Sequence, residues 1–141
     1  MSEESIHIDG RDYDHLNEII ALISGKKDAE PFKAPVDYEG LGLHDYPLIV
    51  KRMMDLGTLH ENLKKGRYKT VRECLDDLQL VWDNCKLYNV EFSKIYKIAQ
   101  KLEVYARKLV EDRFGKVEYG KSNTSHQALI EQSKNSHPVD E

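Results

Sequence analysis

Asn89 closes the run Asn84-Cys85-Lys86-Leu87-Tyr88-Asn89, at the end of a strongly amphipathic helical pattern. Its short side chain carries two N–H donors and a carbonyl acceptor. Where an apolar helix gives way to a loop, such an amide can read a neutral, amide-like group that enters a greasy pocket. A hydrophobic wall alone could not. A simpler account is equally consistent with the spacing: Asn89 as a plain helix C-cap, since Asn tolerates left-handed backbone. Tyr88 and Tyr46 likewise read as large core residues with a wet hydroxyl. Spacing leaves these alternatives open.

The residues that could do covalent chemistry are better explained otherwise. The chain has no Gly-rich phosphate loop, no nucleophile elbow and no His-Glu-x-x-His pattern. Asp76 and Asp77 are adjacent on a helix and point to different faces, a poor acid-base pair. With Asp83 they are expected to form a solvated face. Thr70 and Ser93 suit helix capping better than nucleophilic attack. The histidines are scattered without ligand spacing, so neither a metal site nor a cofactor is expected. The expectation is a binding module, not an enzyme.

Composition narrows the partners. The 141 residues fit one domain with tails. A net charge of −4 gives no general footprint for nucleic acid, so direct DNA binding is not expected. An acidic surface instead suits a basic peptide. No apolar run approaches the roughly 20 residues of a membrane span, and Met1-Ser2-Glu3-Glu4-Ser5 lacks signal-peptide character. Cys74 and Cys85 lie too far apart along one helix to pair, which predicts buried free thiols in a reducing, intracellular compartment. The sequon Asn123-Thr124-Ser125 carries little weight without a secretory signal.

The elements that must position Asn89 are helices. Tyr13, Leu16, Ile19, Ile20 and Ile23 form one stripe, predicting a helix over about 12–24 that stops at Gly25. From Gly25 to Tyr46 no period persists. A structureless stretch of roughly 20 residues is usually functional, and Phe32, Val36, Tyr38, Leu41 and Leu43 predict that it packs on the helices and lines something. A short helical turn near 45–51 follows. Asp55 is a plausible N-cap for a helix carrying Leu59 and Leu63 that ends at Gly66. Thr70-Val71-Arg72-Glu73 is a capping-box pattern opening the clearest helix, with Cys74, Leu75, Leu78, Val81, Trp82 and Cys85 on its apolar face. Ser93 caps the last helix, which fades near Phe114 and Gly115. Residues 1–10 and 116–141 read as disordered tails around one ordered domain at 11–115.

Taken together, these residues resemble a bromodomain, the four-helix module that recognises acetyl-lysine. The resemblance runs from about Tyr13 to Phe114. It is carried by Pro31-Phe32 with Pro35-Val36, then Leu41, Leu43 and Asp45-Tyr46. Met54-Asp55-Leu56-Gly57-Thr58, Tyr68, Asn84-Cys85 and Tyr88-Asn89 complete the ordered series. It implies an all-α, left-handed four-helix bundle with a long first inter-helix loop and a pocket at one end. It also implies roles. Asn89 would donate its side-chain N–H to the acetyl carbonyl, and Tyr46 would hold a bridging water. Phe32, Val36, Leu41, Leu43 and Ile95 would wall the pocket, Ile95 gating it, while Tyr88 and Cys85 shape its interior. Glu30, Pro31, Val90 and Phe92 would form the rim.

The physics of such a slot is selective. An unmodified ammonium would shed water at an effective cost of several kcal/mol unless paired, whereas a neutral hydrogen bond contributes about 0.5–1.5 kcal/mol. Rejection of charge would dominate discrimination, with an affinity of roughly tens of micromolar to millimolar for one acetyl-lysine. Three departures bear on which peptide is preferred. Glu30 stands where an aromatic residue often precedes Pro31-Phe32, Met53 replaces a common Pro, and Val90-Glu91-Phe92 replaces a Pro-containing loop. Phe92 would either restore shelf area or pack on the bundle. Glu30, Asp37, Glu39 and Glu91 would suit basic flanks of a histone tail.

The expected function is therefore a non-enzymatic nuclear reader, a monomer within a larger chromatin or transcription complex. Its expected partners are acetylated histone tails, with acetylated non-histone proteins as further targets. The alternative is a bromodomain-like scaffold that binds a protein partner independently of acetylation.

Overall fold

The computed structural model describes residues 8–119. The expected tail segments at 1–7 and 120–141, and the Asn123 sequon, lie outside the described residues. Five α-helices follow in order: α1 (Gly10–Ser24), α2 (Tyr46–Ile49), α3 (Leu56–Lys64), α4 (Val71–Tyr88) and α5 (Lys94–Phe114). A 3-10 helix at Lys27–Phe32 stands inside the stretch that periodicity left featureless. No strand occurs among the described residues. The chain forms the all-helical bundle expected of it.

Local chemistry sets the helix starts. Asp9 accepts the Asp12 backbone N–H at 2.8 Å, so α1 begins slightly before the expected boundary. Asp55 caps α3 by accepting the Thr58 backbone N–H at 2.9 Å and its hydroxyl at 2.7 Å. Thr70 Oγ1 accepts from Glu73 N at 3.1 Å, and Glu73 reaches back to the Lys69 N–H at 2.7 Å. Ser93 Oγ accepts from Tyr96 N at 3.2 Å. Each cap satisfies a backbone donor that the first helical turn leaves unpaired. Gly66, with φ at 71°, takes the left-handed turn that ends α3.

The core is the sum of the helical stripes. Leu16, Ile19, Ile20 and Ile23 of α1 meet Leu56, Leu59 and Leu63 of α3, the apolar face of α4, and Ala99, Leu102 and Ala106 of α5. Beyond the expected domain ends, Ile8, Val117 and Tyr119 also pack against this core. Trp82 is fully buried at the centre, with Phe32 edge-on to it at 5.4 Å between ring centroids. That contact docks the long first loop on α4. Cys74 and Cys85 are both buried free thiols.

One expectation needs correction. Asp77 and Asp83 do not belong to a solvated face; both are buried. Because α4 packs against α1, α2, α3 and α5, little of its circumference meets water. Asp77 is compensated by Arg52 at 2.7 Å and by the Tyr68 hydroxyl, which donates at 2.6 Å. Asp83 accepts from Gln79 Nε2 at 3.0 Å. A buried carboxylate is tolerable when it is paired in this way. Only Asp76 of the three retains partial exposure.

Candidate functional site

The chain between α1 and α3 is tied down at several points, and a cavity results. Gly57 at the start of α3 donates its N–H to the Lys33 carbonyl at 3.1 Å, anchoring the segment after the 3-10 helix. The Asn84 side chain donates to the Arg52 carbonyl at 2.8 Å, holding the link before α3 against α4. Between these anchors, one end of the bundle encloses a cavity of about 420 Å³. Small-molecule sites commonly have this size and an apolar lining with few polar groups.

Every residue expected to bind at, wall or shape the pocket lines this cavity. Phe32, Val36, Leu41 and Leu43 arrive from the long loop, Tyr46 from α2, Cys85 and Tyr88 from α4, Asn89 from its end, and Ile95 from α5. Of the expected rim, Glu30 and Pro31 are lining residues. Val90 and Phe92 are not: they stand out at 71% and 83% exposure, so Phe92 does not pack on the bundle. Met54, Val81 and Asn84 also line the space and were missed by sequence reasoning. Val81 could have been found, since Val81, Cys85 and Tyr88 repeat at helical spacing on one face.

Asn89 is both the C-cap of α4 and a cavity residue, which joins the two accounts that spacing left open. Its backbone is extended (φ −98°, ψ 148°), not left-handed. Its backbone N–H and its side-chain Nδ2 each donate to the Cys85 carbonyl at 3.0 Å. An amide nitrogen carries two hydrogens. The bond to the helix end fixes the side chain, and among the described residues the only other contact of Nδ2 is a long one to Cys85 Sγ at 3.6 Å, weak enough for a better acceptor to displace.

The aromatic side of the cavity is a set of linked rings. Tyr46 is buried, stacked on Tyr38 at 5.9 Å and edge-on to Tyr88 at 4.9 Å. The Tyr88 hydroxyl donates to Asp45 at 2.7 Å, a bond that raises its pKa and closes α2 onto α4. Burial, with Cys85 adjacent, pushes the Tyr46 phenol above its ordinary value. Burial likewise pushes the Cys85 thiol up to about 11. Both groups are therefore neutral near pH 7. The carboxylates among the lining residues are already engaged: Asp55 with Thr58, Asp37 with the Gly40 N–H, and Glu30 with Lys33. The cavity offers a guest neutral donors and apolar walls.

The bromodomain family model matches residues 16–101. The chain belongs to the bromodomain family. Among curated relatives, this bromodomain is 42% identical over 80 residues to "Transcription factor GTE1" of Arabidopsis thaliana, a match covering 57% of this chain and 21% of that protein. It is 46% identical over 76 residues to "Protein cbp-1" of Caenorhabditis elegans, covering 54% of this chain and 4% of the relative. It is 39% identical over 92 residues to "SWR1 complex bromodomain subunit bdf1" of Schizosaccharomyces pombe, covering 64% and 16%. The chain thus spans only a small part of the length of these relatives. Among solved structures, the second bromodomain of Candida albicans Bdf1, bound to an imidazopyridine, aligns with a TM-score of 0.68 and 32% identity. That alignment covers 72% of this chain and 98% of the other.

Proposed function

We propose that this bromodomain reads acetylated lysine, most readily in histone tails, through the cavity at the loop end of the bundle. The observation that carries the reading is the placement of Asn89: a helix-pinned amide with a second N–H, at an apolar cavity whose neighbouring carboxylates are engaged. The acetyl carbonyl accepts from Asn89 Nδ2, Tyr46 holds a water that bridges to the same oxygen, and Phe32, Val36, Leu41, Leu43 and Ile95 enclose the methyl end. An unmodified lysine is disfavoured because its ammonium would shed water among apolar walls and meet an N–H donor, not an anion, at Asn89. The hydrogen bond orients the guest; exclusion of charge discriminates.

The chain's role is recruitment without catalysis, as a monomeric module of a larger nuclear assembly. The names of its relatives, among them transcription factors and an SWR1 complex subunit, support that setting. The test is an NMR titration of isotope-labelled protein with matched acetylated and unacetylated histone-tail peptides, following the Asn89 side-chain amide. Saturable shifts with the acetylated peptides alone, lost in Asn89→Ala, are expected. If acetylated peptides leave Asn89 and the loop unmoved at millimolar concentration, histone-tail reading is wrong and the scaffold role takes its place.

A further inference from the structure

Phe92 is the most exposed large hydrophobic side chain among the described residues, at 83%. Its position is set by a tight turn. Ser93 N donates to the Val90 carbonyl at 3.0 Å, and Ser93 Oγ donates to the same carbonyl at 2.8 Å. Ser93 also caps α5, so the turn is fastened to a long helix and holds Glu91 and Phe92 at its tip. Asn89 and Ile95, three positions to either side, both line the cavity. At 3.8 Å per Cα step, Phe92 lies within about 11 Å of each. A peptide residue one or two places from a bound lysine spans a comparable distance, about 7 Å at full extension.

Carboxylates stand near this ring, although Glu30 is paired with Lys33 at 3.2 Å. Glu30 and Asp37 line the cavity mouth, Asp45 is bonded to Tyr88 behind it, and Glu91 is the neighbour of Phe92 in the turn. An exposed phenyl face attracts a cation through its quadrupole, and a planar guanidinium stacks on it better than an ammonium does. An acidic mouth adds attraction for the same side chain and none for an apolar one.

We propose that Phe92 is a specificity platform beside the cavity, taking an arginine that flanks the acetylated lysine. The inference rests on the acetyl-lysine reading above and names the sequence context that reading leaves open.

The test is calorimetric titration of peptides bearing one acetyl-lysine in an alanine-glycine background, with arginine scanned over the three positions on each side. At one or two positions arginine should tighten binding about two- to five-fold over alanine. Phe92→Ala should abolish that increment and leave the all-alanine peptide's affinity unchanged, while Phe92→Tyr retains it. Because Phe92 is 83% exposed, the variant's NMR spectrum should match the parent outside the turn. Uniform binding across the scan that Asn89→Ala removes would overturn the role of Phe92 alone. An equal gain from leucine would overturn it too, replacing the cation platform by an apolar shelf. If no acetylated peptide binds the parent chain, the acetyl-lysine reading falls, and this proposal with it.

Discussion

Gly57 and Lys33 touch backbone to backbone: the Gly57 N–H donates to the Lys33 carbonyl at 3.1 Å, and a Cβ on Gly57 would sit 2.5 Å from that oxygen. This contact explains the glycine in Met54-Asp55-Leu56-Gly57-Thr58 without reference to backbone freedom. The loop that walls the cavity is clamped to α3 where only a hydrogen atom fits. Gly57→Ala would gain about 1 kcal/mol in helix propensity. The carbonyl it strikes is backbone, so the loop must shift, and overpacking of this kind costs about 1–3 kcal/mol. The expected result is a net loss in stability by urea titration together with weaker acetyl-peptide binding. Unchanged binding would mean that the Lys33 clamp does not shape the cavity.

Asn89→Ala separates recognition from folding. The side chain is half-buried, and its bond to the Cys85 carbonyl duplicates one made by the Asn89 backbone N–H. Stability should therefore change by no more than about 1 kcal/mol. A buried acetyl carbonyl left without its donor costs about 1–3 kcal/mol, an affinity loss of roughly 5- to 150-fold. Calorimetry with an acetylated peptide reads the second quantity, and urea unfolding reads the first. A variant that fails to fold would show that Asn89 acts chiefly as a structural cap.

What could be read in the chain was local. Asp55, Thr70 with Glu73, and Ser93 announce their helices because a cap is bonded within three residues of itself. The cavity residues were legible through an ordered series of motifs, and the structure brings them together. The 3-10 helix at Lys27–Phe32 was not, because its hold is tertiary: Ala29 is fully buried, and Phe32 packs against Trp82. The burial of Asp77 escaped for the same reason, since its partners Arg52 and Tyr68 belong to other elements. Likewise the bond from Tyr88 to Asp45 spans 43 positions, beyond any local pattern. Val90 and Phe92, expected at the rim from the family resemblance, are exposed on the Ser93-fastened turn and are not among the lining residues.

Tyr68→Phe probes the Arg52–Asp77 ion pair, whose carboxylate lies about two turns before the cavity-lining Asn84 on the same face of α4. The hydroxyl donates to Asp77 at 2.6 Å and accepts from Asn62 Nδ2 at 3.3 Å. Burial, then the bond to Asp77, raises the phenol's pKa, so it is a firm donor throughout the neutral range. Hydrogen bonds to a charged group are worth about 1.5–3 kcal/mol, and that loss is expected in ΔG of unfolding. Tyr68 does not line the cavity, so peptide affinity should stay within about two-fold. A large affinity loss with intact stability would show that Arg52 and the link before α3 transmit this pair's state to the site.

The buried thiols predict a loss of stability in alkali. Burial pushes Cys74 up to about 12 and Cys85 up to about 11, from an ordinary value of 9.0. In the unfolded chain both thiols deprotonate near the ordinary value, whereas the folded chain keeps them protonated. Above about pH 9 the folded state therefore binds more protons than the unfolded one, and stability falls as pH rises. Each such proton contributes at most about 1.4 kcal/mol per pH unit. The stability that these thiols' protonation provides is complete below pH 9 and lost progressively toward pH 11–12. Tyr46 is raised by burial and acts in the same direction. Cys74→Ala should be less stable than the parent at pH 8, because a buried side chain is truncated. It should also decline less steeply between pH 9 and 11, so that the two stability curves converge. Parallel curves would mean that Cys74 ionises in the folded protein as readily as in the unfolded chain.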